Sequence, residues 1–136
     1  MGKMRKCYEE FLDMNVLITD DSSIGRQYIQ KTLMLSGVAS ENIFHARNGK
    51  EALAILDEKK IKIIFLDINM PVMSGEAVVD ILQERGMLSE LTVVITSSLA
   101  NEQKKMALSQ KGVGFFLKKP FPPEELKAIF EKASGI

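Results

Sequence analysis

The stretch Ile61-Lys62-Ile63-Ile64-Phe65-Leu66-Asp67 decides the fold. Apart from Lys62 it is continuously apolar and rich in β-branched residues, and it stops on a carboxylate. A strand buried on both faces of a parallel sheet reads this way, whereas a half-exposed strand would alternate. Working outward, three more near-continuous apolar runs appear: Asn15-Val16-Leu17-Ile18, Leu91 to Ile95 (interrupted by Thr92), and Gly114 to Leu117, the last without β-branched residues. Asn42-Ile43-Phe44-His45-Ala46 is a weaker fifth candidate.

The intervening segments carry helical spacing. Ala52, Ile55 and Leu56 form one stripe, Val78, Ile81 and Leu82 a second, and Leu126, Ile129 and Phe130 a third. Ile24, Tyr28 and Leu35 suggest a first helix, and Asn101 to Gln110 a polar fourth one. Pro122-Pro123 followed by Glu124-Glu125 marks a helix start, through fixed φ and acidic charge near the helix N-terminus. Gly37, Gly86 and Gly112 stand where helices should stop. Five alternations of strand and helix predict an α/β doubly wound parallel sheet with helices on both faces.

The bulk properties fit one such domain. The chain has 136 residues, 46% hydrophobic and 26% charged, with 18 basic and 18 acidic side chains. Zero net charge argues against a nucleic-acid-binding face, which is basic. Cys7 is the only cysteine, which excludes an intrachain disulfide. No apolar run approaches the roughly 18 residues of a membrane span, and Met1 to Lys6 lead into Tyr8-Glu9-Glu10 with no apolar signal core. The expected location is the cytoplasm. Residues 1–13 read as an N-terminal extension, either a short extra helix or an arm, and residues 14–136 as the domain itself.

In open α/β sheets, ligands bind at the carboxyl ends of the strands. The first run ends in Asp20-Asp21, the third in Asp67, the fourth in Thr96-Ser97 and the fifth in Lys118-Lys119. Groups from four strands therefore converge on one crevice. Two carboxylates about 4 Å apart repel by roughly 4 kcal/mol at an effective dielectric near 20, so three of them need a counter-charge. Lys119 or a divalent cation can supply it. Oxygen-only ligands favour a hard ion such as Mg²⁺. A carboxylate nucleophile, a cation, an ammonium and a hydroxyl together meet what phosphoryl transfer asks of a protein.

At these residues the chain resembles the response-regulator receiver family, in particular its single-domain chemotaxis type. The resemblance rests on Leu17-Ile18-Thr19-Asp20-Asp21-Ser22, on Phe65-Leu66-Asp67-Ile68-Asn69-Met70-Pro71 with Gly75, on Val94-Ile95-Thr96-Ser97, and on Phe116-Leu117-Lys118-Lys119-Pro120-Phe121. It covers roughly residues 14 to 133. It implies the flavodoxin-like fold with strand order 2-1-3-4-5, an order that belongs to the family and is not read from spacing. It implies that Asp67 accepts a phosphoryl group from a histidine kinase or phosphotransfer protein. Asp21, Asp67 and the backbone carbonyl of Asn69 would hold Mg²⁺ directly, and Asp20 would act through water. Lys119 would pair with the phosphoryl group and the Thr96 hydroxyl would move to bond it. Phe116 would turn inward as Thr96 moves, remodelling the face built from the fourth helix, fifth strand and fifth helix, where a downstream protein would bind. Asn69 and Ser98 occupy positions that tune phosphate lifetime, and the Lys119–Pro120 bond is expected to be cis. The resemblance also implies a monomer or weak dimer.

Phe116 departs from the chemotaxis regulators, which carry Tyr there, so no hydroxyl is left unsatisfied when the ring is buried. Two other functions share parts of the pattern. A haloacid-dehalogenase-type phosphatase needs a second Asp two residues after the nucleophile, where this chain has Asn69. A flavodoxin-like cofactor carrier needs a Gly/Ser-rich cradle after the first strand, where Asp20-Asp21 would repel phosphate. Each residue also has a plainer reading: Asp20-Asp21 as helix caps, Lys118 as a solvated lysine, Phe116 as core, and Lys104-Lys105 as a solvated face. A Met start and a complete last helix favour a free-standing regulator.

Overall fold

The computed structural model describes residues 14–98 and 101–135. Five parallel strands, β1 (Val16–Thr19), β2 (Ile43–Ala46), β3 (Ile63–Asp67), β4 (Thr92–Ser97) and β5 (Phe115–Lys118), form one sheet in the order β2-β1-β3-β4-β5. They alternate with helices α1 (Ser23–Leu35), α2 (Gly49–Glu58), α3 (Gly75–Glu84), α4 (Glu102–Gln110) and α5 (Pro123–Ser134). This is the flavodoxin-like α/β fold. The extension expected over residues 1–13, with Cys7, lies outside the described residues. Among those described, no helix is long and apolar enough to cross a membrane.

The unbroken apolar runs are explained by two cores, one on each sheet face. Val16, Ile18, Ile63, Phe65, Val94 and Leu117 point toward α1 and α5, where Ile29, Leu33, Leu126 and Phe130 meet them. Leu17, Ile64, Leu66, Val93 and Ile95 point the other way, onto Ala52, Val78, Val79, Leu82 and Leu108. Alternate residues of each strand thus serve opposite cores, which is why the strands are apolar along most of their length. Fully burying one such side chain stabilises the fold by about 1.5–3 kcal/mol.

Local chemistry sets the helix ends. The side chains of Ser22, Asn48, Ser74 and Asn101 accept hydrogen bonds from the backbone N–H groups of Gly25, Glu51, Ala77 and Lys104. α5 starts at Pro123, and Gly37, Gly86 and Gly112 all take positive φ just after helices. Because Ser22 caps α1, Asp20 and Asp21 are not needed as caps.

One pattern was misleading. The first helix exists, but Ile24, Tyr28 and Leu35 are exposed (78%, 39% and 79%), while Ile29, Thr32 and Leu33 face the core. Those three residues share a face; the hydrophobicity of that face simply does not point inward. His45 lies on β2, half-buried, with a ring nitrogen hydrogen-bonded to the Gln30 side chain. Burial, then the Arg26 charge, holds its pKa below the usual histidine value.

Candidate functional site

Parallel register brings the strand ends level. Asp67 pairs with Thr96 across β3 and β4, and Ser97 with Lys118 across β4 and β5. Asp20 follows β1 directly, and its backbone N–H donates to the Ala46 carbonyl at 3.1 Å. Asp20, Asp21 and Asp67 converge, each offering a carboxylate oxygen within 4.8 Å of the others. Asp20 and Asp67 are buried and Asp21 is exposed, so the cluster opens to solvent on the Asp21 side.

Lys119 reaches into this cluster from the loop after β5. Its Nζ donates to Asp20 Oδ2 at 2.7 Å and to Asp67 Oδ2 at 3.2 Å. The Lys119–Pro120 peptide bond is cis. Asp20 Oδ1 accepts from the Ser22 N–H at 2.9 Å, and Asp67 Oδ1 from the Asn69 N–H at 3.3 Å. Burial, the largest influence, pushes the Asp67 carboxyl up; Lys119 opposes this and the Asp20 charge reinforces it. Burial pulls Lys119 down, but the hydrogen bond to Asp20 and the charges of Asp67 and Asp20 together carry its pKa above the ordinary lysine value. Two buried carboxylates therefore share one ammonium, an arrangement one cation short of neutral.

Asn69 and Ser98 are exposed beside the crevice, and Thr96 is buried at 1% exposure. Phe116 is half-buried, with Lys105 Nζ 5.3 Å from its ring centroid. A cavity of about 280 Å³ opens between the crevice and α4, lined by Asn69, Ser97, Lys105, Leu108 and Phe116 among others. Lys104, expected on a solvated face, pairs with Glu76 at 3.2 Å. Lys118 is exposed, as its plain reading had it.

Some contacts of the site went unread in the sequence, although Gly75 belongs to one of the quoted motifs. Arg26, in the first turn of α1, donates from its guanidinium to the Asp20 carbonyl at 2.7 Å and so braces the acidic loop. Gly75 packs against the other carboxylate's backbone. A Cβ there would lie 2.3 Å from the Asp67 carbonyl oxygen, and its N–H donates to the Ile68 carbonyl at 2.9 Å. Between them, Val72 takes φ +68°, with the Met73 N–H donating to the Pro71 carbonyl at 2.7 Å. That is a γ-turn of the strained hand, centred on a β-branched residue.

The fold and site define an open α/β domain whose strand ends carry a carboxylate–lysine crevice. The chain belongs to the response regulator receiver domain family, whose model matches residues 16–131. It is similar to the chemotaxis protein CheY1 of Helicobacter pylori, 30% identical over 123 residues that cover 90% of this chain and 98% of that one. It is also similar to a CheY homolog of Campylobacter jejuni, at 28% identity over 90% of this chain and 93% of that protein. Among solved structures, Vibrio cholerae CheY4 superposes with TM-score 0.79 at 29% identity, covering 88% of this chain and 98% of that one. The CheY of a CheX–CheY–BeF3–Mg²⁺ complex from Borrelia burgdorferi does so with TM-score 0.81 at 27% identity, covering 89% of each chain. The chain is therefore a CheY-like phosphorylation-switch signalling domain of two-component systems and not a true enzyme.

Proposed function

We propose that this protein is a free-standing response regulator in which Asp67 accepts a phosphoryl group from a histidine kinase or phosphotransfer protein and thereby switches a protein-binding face. The observation that carries the reading is the sharing of Lys119 between two buried carboxylates, Asp20 at 2.7 Å and Asp67 at 3.2 Å. Such a site has an excess of negative charge and a nucleophile already held in place.

The donor set suits Mg²⁺. The carboxylates of Asp21 and Asp67 and the carbonyl of Asn69 would hold it, with Asp20 acting through water. All are hard oxygen ligands, and the three carboxylates lie within 4.8 Å of one another. When bound, the ion supplies positive charge for phosphoryl oxygens. The relative crystallised with CheX contains both Mg²⁺ and BeF3, which supports the same chemistry here.

The chain's own residues do the rest. A carboxylate oxygen of Asp67 attacks the donor phosphorus; the new O–P bond forms as the bond from phosphorus to the donor's imidazole nitrogen breaks. Lys119 moves from pairing Asp67 to pairing the phosphoryl oxygens. Thr96, beside Asp67 in the register, donates its hydroxyl to a phosphoryl oxygen. Its movement vacates space for the Phe116 ring, and the face of α4, β5 and α5 changes shape for a downstream protein. Asn69 and Ser98, exposed at the mouth, set how easily water reaches the acyl phosphate. The single-domain relatives, matched over nearly their whole length, support a free-standing regulator working in the cytoplasm.

Intact mass after incubation with acetyl phosphate and Mg²⁺ tests this. One added phosphoryl group is expected, absent without Mg²⁺ and absent in Asp67→Asn. Wild-type protein that takes neither a phosphoryl group nor beryllofluoride would overturn the reading.

A further inference from the structure

Asp21, a direct Mg²⁺ ligand of the proposed site, is exposed, and among the described residues its side chain makes no hydrogen bond or ion pair. The approach of its carboxylate to within 4.8 Å of those of Asp20 and Asp67 is therefore set by the backbone on either side of it. Asp20 is the opposite case, held at every polar atom. Its N–H donates to the Ala46 carbonyl at 3.1 Å, and its carboxylate oxygens accept from the Ser22 N–H at 2.9 Å and Lys119 Nζ at 2.7 Å. Its carbonyl accepts from Arg26 Nη1 at 2.7 Å. That last bond reaches Asp21, because a peptide unit is planar and its oxygen shares the plane with the next residue's nitrogen and Cα. Fixing the Asp20 oxygen fixes the plane from which the Asp21 side chain departs.

Helical side chains lean toward the helix N-terminus, so Arg26, in the first turn of α1, reaches back over the loop that precedes it. Its own N–H donates to the Ser22 carbonyl at 3.0 Å, so residues 20–26 close on themselves. Among the described residues the guanidinium makes the Asp20 bond alone and no ion pair, and its Nε is buried without a partner. Burying an N–H unpaired costs stability, so folding by itself gives no reason to hold the group there. Nor is Arg26 among the groups that set the nucleophile's acidity: Asp67 answers to burial, Lys119, Asp20 and the Asn69 N–H. The Arg26 charge is felt instead at His45, whose pKa is lowered by burial and then by Arg26. At the crevice, what Arg26 does is hold one carbonyl.

We propose that Arg26 is a positioning residue for the metal: by holding the Asp20 carbonyl it aims the Asp21 carboxylate into the crevice. The inference rests on the proposed role of Asp21 and Asp67 as Mg²⁺ ligands and deepens it. Arg26 itself touches neither the ion nor the phosphoryl group. Without it the Asp20–Asp21 peptide is free to rotate, and the arrangements it then explores are lost again when the ion binds. Removing a group that orients a metal ligand weakens metal binding by about 10–100-fold. Arg26 acts through the backbone and not on the ligand atom, which points to the lower end of that range.

The test titrates Mg²⁺ alone into the isotope-labelled full chain and follows the backbone amides of residues 20–22 and of Asn69. Wild type is compared with Arg26→Met, Arg26→Lys and Asp21→Asn. Arg26→Met should raise the half-saturating Mg²⁺ concentration about tenfold. It should also shift or broaden the Asp21 amide before any Mg²⁺ is added, with Asn69 in place. Arg26→Lys should return to within about threefold of wild type, because a single bond to a carbonyl does not need the guanidinium fork. The dispersed amide spectrum reports folding in the same sample, and Arg26→Gln takes the place of Arg26→Met if that variant is unfolded. Unchanged or tighter Mg²⁺ binding in Arg26→Met, with only a lower urea midpoint, would leave Arg26 a merely structural residue and overturn the proposal. Binding as weak in Arg26→Lys as in Arg26→Met would overturn it too, by assigning the effect to packing. Wild-type affinity in Asp21→Asn, or no binding in wild type, would bring down the ligand reading beneath it as well, so the two failures are told apart.

Discussion

Two neighbouring helices on one face of the sheet are attached in different ways. α3 buries Gly75, Val78, Val79 and Leu82, whereas α4 buries only Leu108. What else ties α4 down is polar and near the surface: Lys104 with Glu76 at 3.2 Å, Lys111, just past the helix, with Asp80, and Lys105 over Phe116. Pairs of that kind contribute about 0–1 kcal/mol each, against about 1.5–3 kcal/mol for each fully buried aliphatic side chain. The difference matches what each helix adjoins. α3 follows the loop that leaves Asp67 at the end of β3, where carboxylate geometry must not drift. α4 adjoins the cavity and Phe116, where the proposed switch needs an element that can shift at small cost.

The largest test of that contrast substitutes the two anchors. Leu82 and Leu108 are both buried, at 0% and 1% exposure. Leu82→Ala and Leu108→Ala should each cost about 3 kcal/mol, but in different places. In Leu82→Ala, amide exchange should speed up across the whole sheet, since α3 opens only with the domain. In Leu108→Ala, protection should vanish over 102–110 first, with β1 and β3 much less affected. Uniform acceleration in both variants would mean that α4 is as integral as α3, and the contrast would fall.

How far this was legible beforehand follows from what each residue advertises. Ile61 to Asp67 showed a strand buried on both faces because two cores forbid polar residues there, and the strand-end carboxylates showed the crevice because nothing structural requires them. Lys119 and Thr96 were expected at the same strand ends, and they lie there, beside Asp67. α1 was found from Ile24, Tyr28 and Leu35, but its buried face, Ile29, Thr32 and Leu33, was not, since helical spacing carries no sign for inside or outside. α4 gave almost no periodic signal because a helix with one buried residue has none to give. The brace from Arg26, the close approach of Gly75 to Asp67 and the ammonium over Phe116 are meetings between distant segments or backbone atoms, which residue type does not encode.

A smaller effect sharpens the comparison on the α3 side. Val72 at φ +68° is 77% exposed, so its conformation is imposed by the backbone around it and not by packing of its side chain. Such strain costs on the order of 1–3 kcal/mol and persists only where the surroundings over-determine it. The buried anchors of α3 on one side and the end of β3 on the other supply that constraint. Val72→Gly relieves the strain but adds about 0.5–1 kcal/mol of chain entropy to be lost on folding. The net expectation is a gain of about 1 kcal/mol, read as a higher urea midpoint at unchanged slope. A loss of stability would show that the loop is not strained, and that the attachment of α3 is not what holds it.

The smallest effect lies at α4 and is the most informative about the switch. Lys105 Nζ sits 5.3 Å from the Phe116 ring centroid, and Phe116 has no hydroxyl with which to hold any one position. A cation over a ring at an exposed site is worth about 0.5–1 kcal/mol, enough to shift a two-state rotamer population by roughly two- to fivefold. The cavity beside the ring, about 280 Å³, gives it somewhere else to go. Lys105→Gln removes the cation while keeping a long side chain, so global stability should change by less than about 1 kcal/mol. The Phe116 ring resonances should nevertheless move toward those seen with beryllofluoride bound, and Lys105→Arg, which keeps a cation able to lie over the ring, should leave them in place. If Gln and Arg gave the same ring environment, the ammonium would be a bystander. α4 would then be tied to the site by Leu108 and the ion pairs alone.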